Sequence, residues 1–131
     1  MKTFKTLPNT ENTFHDLLGY TFREWRDGYV ELELEVLKKH RNRQGWIHGG
    51  VILSLLDIAS TFAGNHSADG PTATVTMNMS CNFIAGTQED IIRTEGNLVR
   101  RGRSTFFTEN RVFEDSSGKI LATAQGVHKI L

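Results

Sequence analysis

Gly49-Gly50-Val51-Ile52-Leu53-Ser54-Leu55-Leu56-Asp57-Ile58-Ala59-Ser60-Thr61-Phe62-Ala63-Gly64 reads as a single helix that is largely buried. At 3.6 residues per turn, Gly50, Ser54, Asp57, Thr61 and Gly64 share one narrow stripe. Val51, Ile52, Leu55, Leu56, Ile58, Ala59, Phe62 and Ala63 cover most of the remaining surface. A stripe facing water usually carries Lys, Glu or Arg, whereas this one carries small residues, hydroxyls and a single acid. Asp57 lowers helix propensity and is costly to bury unpaired, so something must compensate for it. Gly49 and Gly50 permit close backbone approach and leave free N–H groups at a helix start, where negative charge is stabilised.

Upstream of the helix, Val30, Leu32, Leu34 and Val36 alternate with Glu31, Glu33 and Glu35. Tyr20–Arg26, a turn at Asp27-Gly28 and Tyr29–Leu37 therefore form a hairpin with one wet and one dry face. Downstream, the polar run Asn65–Pro71 ends the helix. Ala73, Val75, Met77, Met79, Cys81 and Phe83 then alternate with Thr74, Thr76, Asn78 and Ser80, predicting a strand. Asp90–Arg100 and Ser104–Phe113 flank a turn at Arg101-Gly102-Arg103, and Lys119–His128 closes the series. Two strands, one apolar helix and four more strands predict an α+β domain in which a curved antiparallel sheet wraps around one long central helix. It spans residues 19–131. Residues 1–18 lack a sustained apolar period and read as an N-terminal arm with a short helix near Thr13–Leu18.

At 131 residues the chain is long enough for one self-sufficient core. Lys plus Arg and Asp plus Glu each number 15, so no charge bias points to nucleic acid or a membrane surface as a partner. The one cysteine, Cys81, forms no intrachain disulfide, shares the strand period of Met79 and Phe83, and fits a reducing compartment. With no apolar signal region and no apolar span of about 18 residues, the expected location is cytoplasmic. His15, His40, His48, His66 and His128 lack compact metal-ligand spacing. No metal and no cofactor is expected, and no GxSxG nucleophile turn occurs.

The loop before the helix places His40, Asn42, Gly45, His48, Gly49 and Gly50 in the pattern HxNxxGxxHGG, followed by the helix acid Asp57. This resembles the motif of PaaI-type acyl-CoA thioesterases of the hotdog fold, and the strand and turn pattern agrees from about Tyr20 to Lys129. The resemblance implies an acyl-CoA substrate whose thioester carbonyl is polarised by the Gly49 N–H. Asp57 would act as general base or nucleophile, and Asn42 and His48 would orient water and thioester. A hydroxyl from the neighbouring subunit matches Thr74. Gly50, Gly102 and Arg103 are the candidates for substrate binding, the last two at a basic turn beside the nucleotide of CoA, with Lys39, Arg41 and Arg43 as possible helpers. A homodimer or homotetramer with sites at the dimer interface is implied. The chemistry is coherent without the family, since thioester hydrolysis builds charge on the carbonyl oxygen and a fixed N–H stabilises it.

Two other functions fit the same residues. Hotdog relatives hydrate or dehydrate acyl thioesters with a His and a helix acid, and a non-catalytic module would bind acyl-CoA without releasing thiol. The bland readings are Asn42 as a turn former, His48 as a helix cap, Thr74 as an interface residue and the Arg100–Arg103 turn as a solvated loop.

Overall fold

The computed structural model describes residues 10–131. A short helix α1 (Phe14–Leu18) precedes the hairpin β1 (Thr21–Arg26) and β2 (Tyr29–Glu35). The long helix α2 (Gly49–Gly64) follows, and then β3 (Thr74–Phe83), β4 (Ile91–Arg101), β5 (Thr105–Glu114) and β6 (Ile120–Ile130). The strands form one six-stranded antiparallel sheet in the order β1-β2-β4-β5-β6-β3. α2 touches every strand, so the sheet curves around it.

The helix occupies the predicted span, and its apolar residues form the core. Ile52, Leu55, Leu56, Ile58, Ala59 and Phe62 are buried against Val30, Leu32 and Leu34 of β2, Ile92 of β4 and Val112 of β5. On β2 the three glutamates alternate with those apolar residues and stay at least partly exposed. Of the predicted stripe, Gly50, Ser54, Asp57 and Thr61 remain open or half-open, whereas Gly64 is buried beneath the Phe106 ring.

β3 is placed by long-range pairing, and its side-chain pattern departs from the sequence reading. Although it follows α2, it does not pair with β4: the chain crosses the sheet and sets β3 on the far edge beside β6. Its alternation is also broken by a bulge between Thr76 and Asn78. One extra residue reverses the side-chain parity of everything before it. Met79 and Cys81 pack on the core as expected, but Val75 and Met77 are exposed, and Thr76 turns inward to α2 in their place. Phe83, at the strand end, lies beyond the core with its ring against Gly49.

Candidate active site

The loop before α2 is held by its own motif residues. The Asn42 side-chain oxygen accepts from the N–H groups of Gln44 (3.0 Å) and Trp46 (3.1 Å), and the Asn42 backbone exchanges hydrogen bonds with Trp46 and Gly45. Gly45 takes a φ of 89°, a left-handed conformation that favours glycine. His40 is buried. Its Nδ1 accepts from the Leu37 N–H at 2.9 Å and its Nε2–H donates to the Leu18 carbonyl at 2.8 Å, which ties the end of α1 to the motif loop. Arg41 is spent on structure, bonding the carbonyls of Gly45, Gln88, Val36 and Glu89 and the Asp90 carboxylate.

That bracing fixes the start of α2. His48 is the N-cap, with extended backbone, and its Nδ1 accepts from the Gly50 N–H at 2.8 Å. The carbonyl of His48 accepts from Val51 and Ile52. The Gly49 N–H has no acceptor among the described residues. It stands at the positive end of a 16-residue helix, available to an oxygen that gains negative charge.

Two turns further on, half-buried Asp57 accepts a 2.6 Å hydrogen bond at Oδ1 from the Thr76 hydroxyl. Between α1 and the open face of α2 lies a mostly apolar cavity of about 350 Å³, lined by residues including Phe14, Leu17, Leu18, His48, Gly50 and Ser54. It adjoins a second of about 270 Å³ that reaches Asp57, Thr61 and Phe62, and Phe14 and Ser54 line both. One of the two hollows thus borders His48 and the other Asp57, with Phe14 and Ser54 between them. Another hollow, of about 490 Å³, lies on polar residues of the sheet such as Asn97, Glu109 and Gln125 and contains none of the predicted site residues.

The remaining predicted residues sit elsewhere. Thr74 begins β3 opposite Ile130 and makes no side-chain bond to Asp57 of its own chain. Gly102 and Arg103 form the exposed β4–β5 turn. Arg101 beside them bonds Asp27 and the carbonyl of Gly64, which places this turn at the C-terminal end of α2. At 1.5 Å per residue, that is about 22 Å from Gly49 of the same chain. Sequence reading missed Thr76 and His128. Thr76 and His128 are opposite one another in the β3–β6 register but 52 residues apart in sequence, and only the bulge brings Thr76 inward.

Among the described residues no three His, Cys, Asp or Glu side chains converge as a metal site, and no helix is long and apolar enough to cross a membrane. An antiparallel sheet wrapped on one helix, with an open glycine N–H at the helix start, defines a PaaI-like hotdog protein. The chain belongs to the thioesterase superfamily, whose family model matches residues 44–121, and is a thioester hydrolase. It is 33% identical to human acyl-coenzyme A thioesterase 13 over 129 residues, covering 97% of this chain and 89% of that protein. A conserved protein of Pseudomonas aeruginosa, PA5202, superposes with a TM-score of 0.83 at 27% identity, over 95% of this chain and all of the other. The Escherichia coli PaaI protein, from the phenylacetic acid degradation operon, shares the fold with a TM-score of 0.81 at 20% identity, over 92% and 86% of the two chains.

Proposed function

We propose that this protein hydrolyses acyl-CoA thioesters at a site shared between two subunits, with the Gly49 N–H polarising the carbonyl and Asp57 activating water. The observation that carries the reading is the free Gly49 N–H at the head of a helix whose open face also bears Asp57. Attack by water pushes the carbonyl electrons onto oxygen, and a donor already aimed there needs no reorganisation. Asp57 takes the proton of the attacking water, and collapse of the tetrahedral intermediate expels the thiolate.

Eight residues of helix separate Gly49 from Asp57, about 12 Å along the axis. A general base must lie within hydrogen-bond reach of its water, and that water within about 3 Å of the carbonyl carbon. The two groups can meet one thioester only if they come from different protomers. Edge strand β3, with exposed Val75 and Met77, offers the surface for pairing. In such a pair Thr74 and the Gly102–Arg103 turn serve the partner's site, consistent with the turn's distance of about 22 Å from Gly49 in the same chain. His48 and Asn42 support the carbonyl end, His48 by capping the helix and Asn42 by holding the loop, with the Asn42 amide nitrogen left for the thioester. The relatedness to human acyl-coenzyme A thioesterase 13 supports CoA esters as the substrate class.

Gly49→Pro tests the donor, since proline is favoured at the first helical position but has no N–H. Turnover of acyl-CoA should fall about 100- to 1,000-fold, while Gly49→Ala, whose Cβ meets Phe83 at an ordinary 3.5 Å, should retain it. Asp57→Asn should also be inactive. Co-expression of Gly49→Pro with Asp57→Asn should restore about a quarter of wild-type activity, because one intact site survives in each mixed dimer. Absence of recovery would place both groups in one chain, and full activity of either single variant would reject that residue's role.

A further inference from the structure

Behind Asp57 lies a run of polar side chains that the reaction as described does not use. The Thr76 hydroxyl donates to Asp57 Oδ1 at 2.6 Å and lies 3.5 Å from His128 Nδ1. His128 Nε2 is 2.5 Å from the Ser60 hydroxyl, Ser60 is 2.5 Å from the Thr108 hydroxyl, and the Asn110 amide donates to Thr108 at 3.0 Å. His128, Ser60, Thr108 and Asn110 are all buried.

The hydrogen count fixes the direction of this line. Thr76 has one hydroxyl hydrogen and gives it to the carboxylate, so His128 Nδ1 can approach Thr76 only as a donor. Its Nε2 is then bare and accepts from Ser60. Ser60 has spent its hydrogen and must accept from Thr108, which accepts in turn from Asn110. Every bond points the same way, from the core to Oδ1 of Asp57. This arrangement requires a neutral imidazole, and burial favours that form by lowering the His128 pKa.

The packing leaves the line little freedom. Phe106 stacks on the His128 ring at 4.8 Å and 10°. Gly126 leaves room for it: a Cβ there would fall 2.2 Å from Ser60 Oγ and 2.8 Å from Thr108 Oγ1. The β3 bulge turns Thr76 inward to meet the register of His128.

We propose that the line Asn110–Thr108–Ser60–His128–Thr76, buried from Asn110 to His128 and open to solvent at Thr76, positions the Asp57 carboxylate, engaging Oδ1 and leaving Oδ2 to the attacking water. Thr76 and His128 are thus positioning residues that act through Asp57. The inference rests on Asp57 being the base. A carboxylate free to rotate would spend most of its time with neither oxygen aimed at water, and small misplacements of a reacting group cost rate rather than binding.

The test is steady-state hydrolysis of one acyl-CoA by Thr76→Val, Thr76→Ser, His128→Asn, the Thr76→Val/His128→Asn double variant and Asp57→Asn. Thr76→Val should lower kcat about 10- to 100-fold with KM little changed, and Thr76→Ser should recover most of the loss. His128→Asn should lower kcat in the wild-type background yet add little to Thr76→Val, because its effect passes through Thr76. Inactive Asp57→Asn alongside undiminished Thr76→Val, or losses that multiply in the double variant, would overturn the positioning line alone. A fully active Asp57→Asn would instead overturn the assignment of Asp57 as the base. Thr76→Ser guards against misfolding, since it keeps the hydroxyl at nearly the same volume.

Discussion

A Cβ on Gly96 of β4 would sit 2.3 Å from the carbonyl oxygen of Ala59 on α2. The helix thus rests directly on the backbone of the sheet, and this contact sets the depth at which the whole of α2, Asp57 included, lies in its groove. The obstructing atoms are backbone, so Gly96→Ala can be relieved only by lifting the helix. We expect a loss of about 3 kcal/mol or more in chemical denaturation and a fall in activity among molecules that still fold. Unchanged stability would show that the helix has slack against β4.

His40 ties the motif loop to α1 through its bond to the Leu18 carbonyl. His40→Ala strands that carbonyl and the Leu37 N–H, costing about 1–3 kcal/mol. Hydrogen exchange should quicken over 14–18 and in the 37–42 loop, while the protection of β4 to β6 stays as in wild type. A uniform loss of protection would mean that His40 supports the whole core instead of this junction.

Asp57 stood out in the sequence because an acid on a stripe of small residues has no ordinary structural use, and the span of α2 followed from its apolar period. The glutamate alternation of β2 was equally readable, since both signals are local. β3 was not: Val75-Thr76-Met77-Asn78-Met79 alternates without a break, yet the bulge sends Met77 outward and Thr76 inward. The crossing of β3 to the far edge depends on long-range pairing with β6 that periodicity does not encode. His128 looked like one polar residue in a final strand. Its meaning comes from Thr76, Ser60 and Thr108, which three other elements bring to it.

β3 is an edge strand ten residues long with Val75 46% and Met77 61% exposed. Such an edge attracts another strand. Met77→Lys should shift the protein toward monomer in light scattering and lower its specific activity in the same concentration range, as the shared site requires. An unaltered, fully active dimer would move the subunit contact away from this edge.

Glu114 fastens the loop between β3 and β4: its carboxylate accepts from the hydroxyls of Ser117 and Thr87, and the Thr87 carbonyl accepts from Ile47 just before the helix. Those two hydroxyls, with Lys119 assisting, hold its pKa below the ordinary value despite the opposing effect of burial. A depressed carboxyl pKa contributes stability above the unfolded value, near 4.3, and loses it as pH falls through the folded value. Glu114→Gln should therefore cost about 1–2 kcal/mol at pH 7, with the Tm gap from wild type closing as pH drops below about 4. A gap independent of pH would show that the charge contributes nothing.

Phe14 is 56% exposed on α1, yet it lines both the hollow beside His48 and the hollow beside Asp57. An exposed aromatic in that place is suited to cover an apolar acyl group once substrate is bound, so α1 should influence which acyl chains are turned over. One methylene more or less in an apolar pocket is worth about 1–3 kcal/mol, or roughly 10- to 200-fold in kcat/KM. Phe14→Ala should lower kcat/KM for medium-chain and aryl acyl-CoA by about tenfold and leave acetyl-CoA, too short to reach the ring, nearly unaffected. The ratio of the two constants is the quantity to measure, because a general loss of folding lowers both alike. If the ratio is unchanged, the acyl group runs away from α1, along the partner's β3 instead.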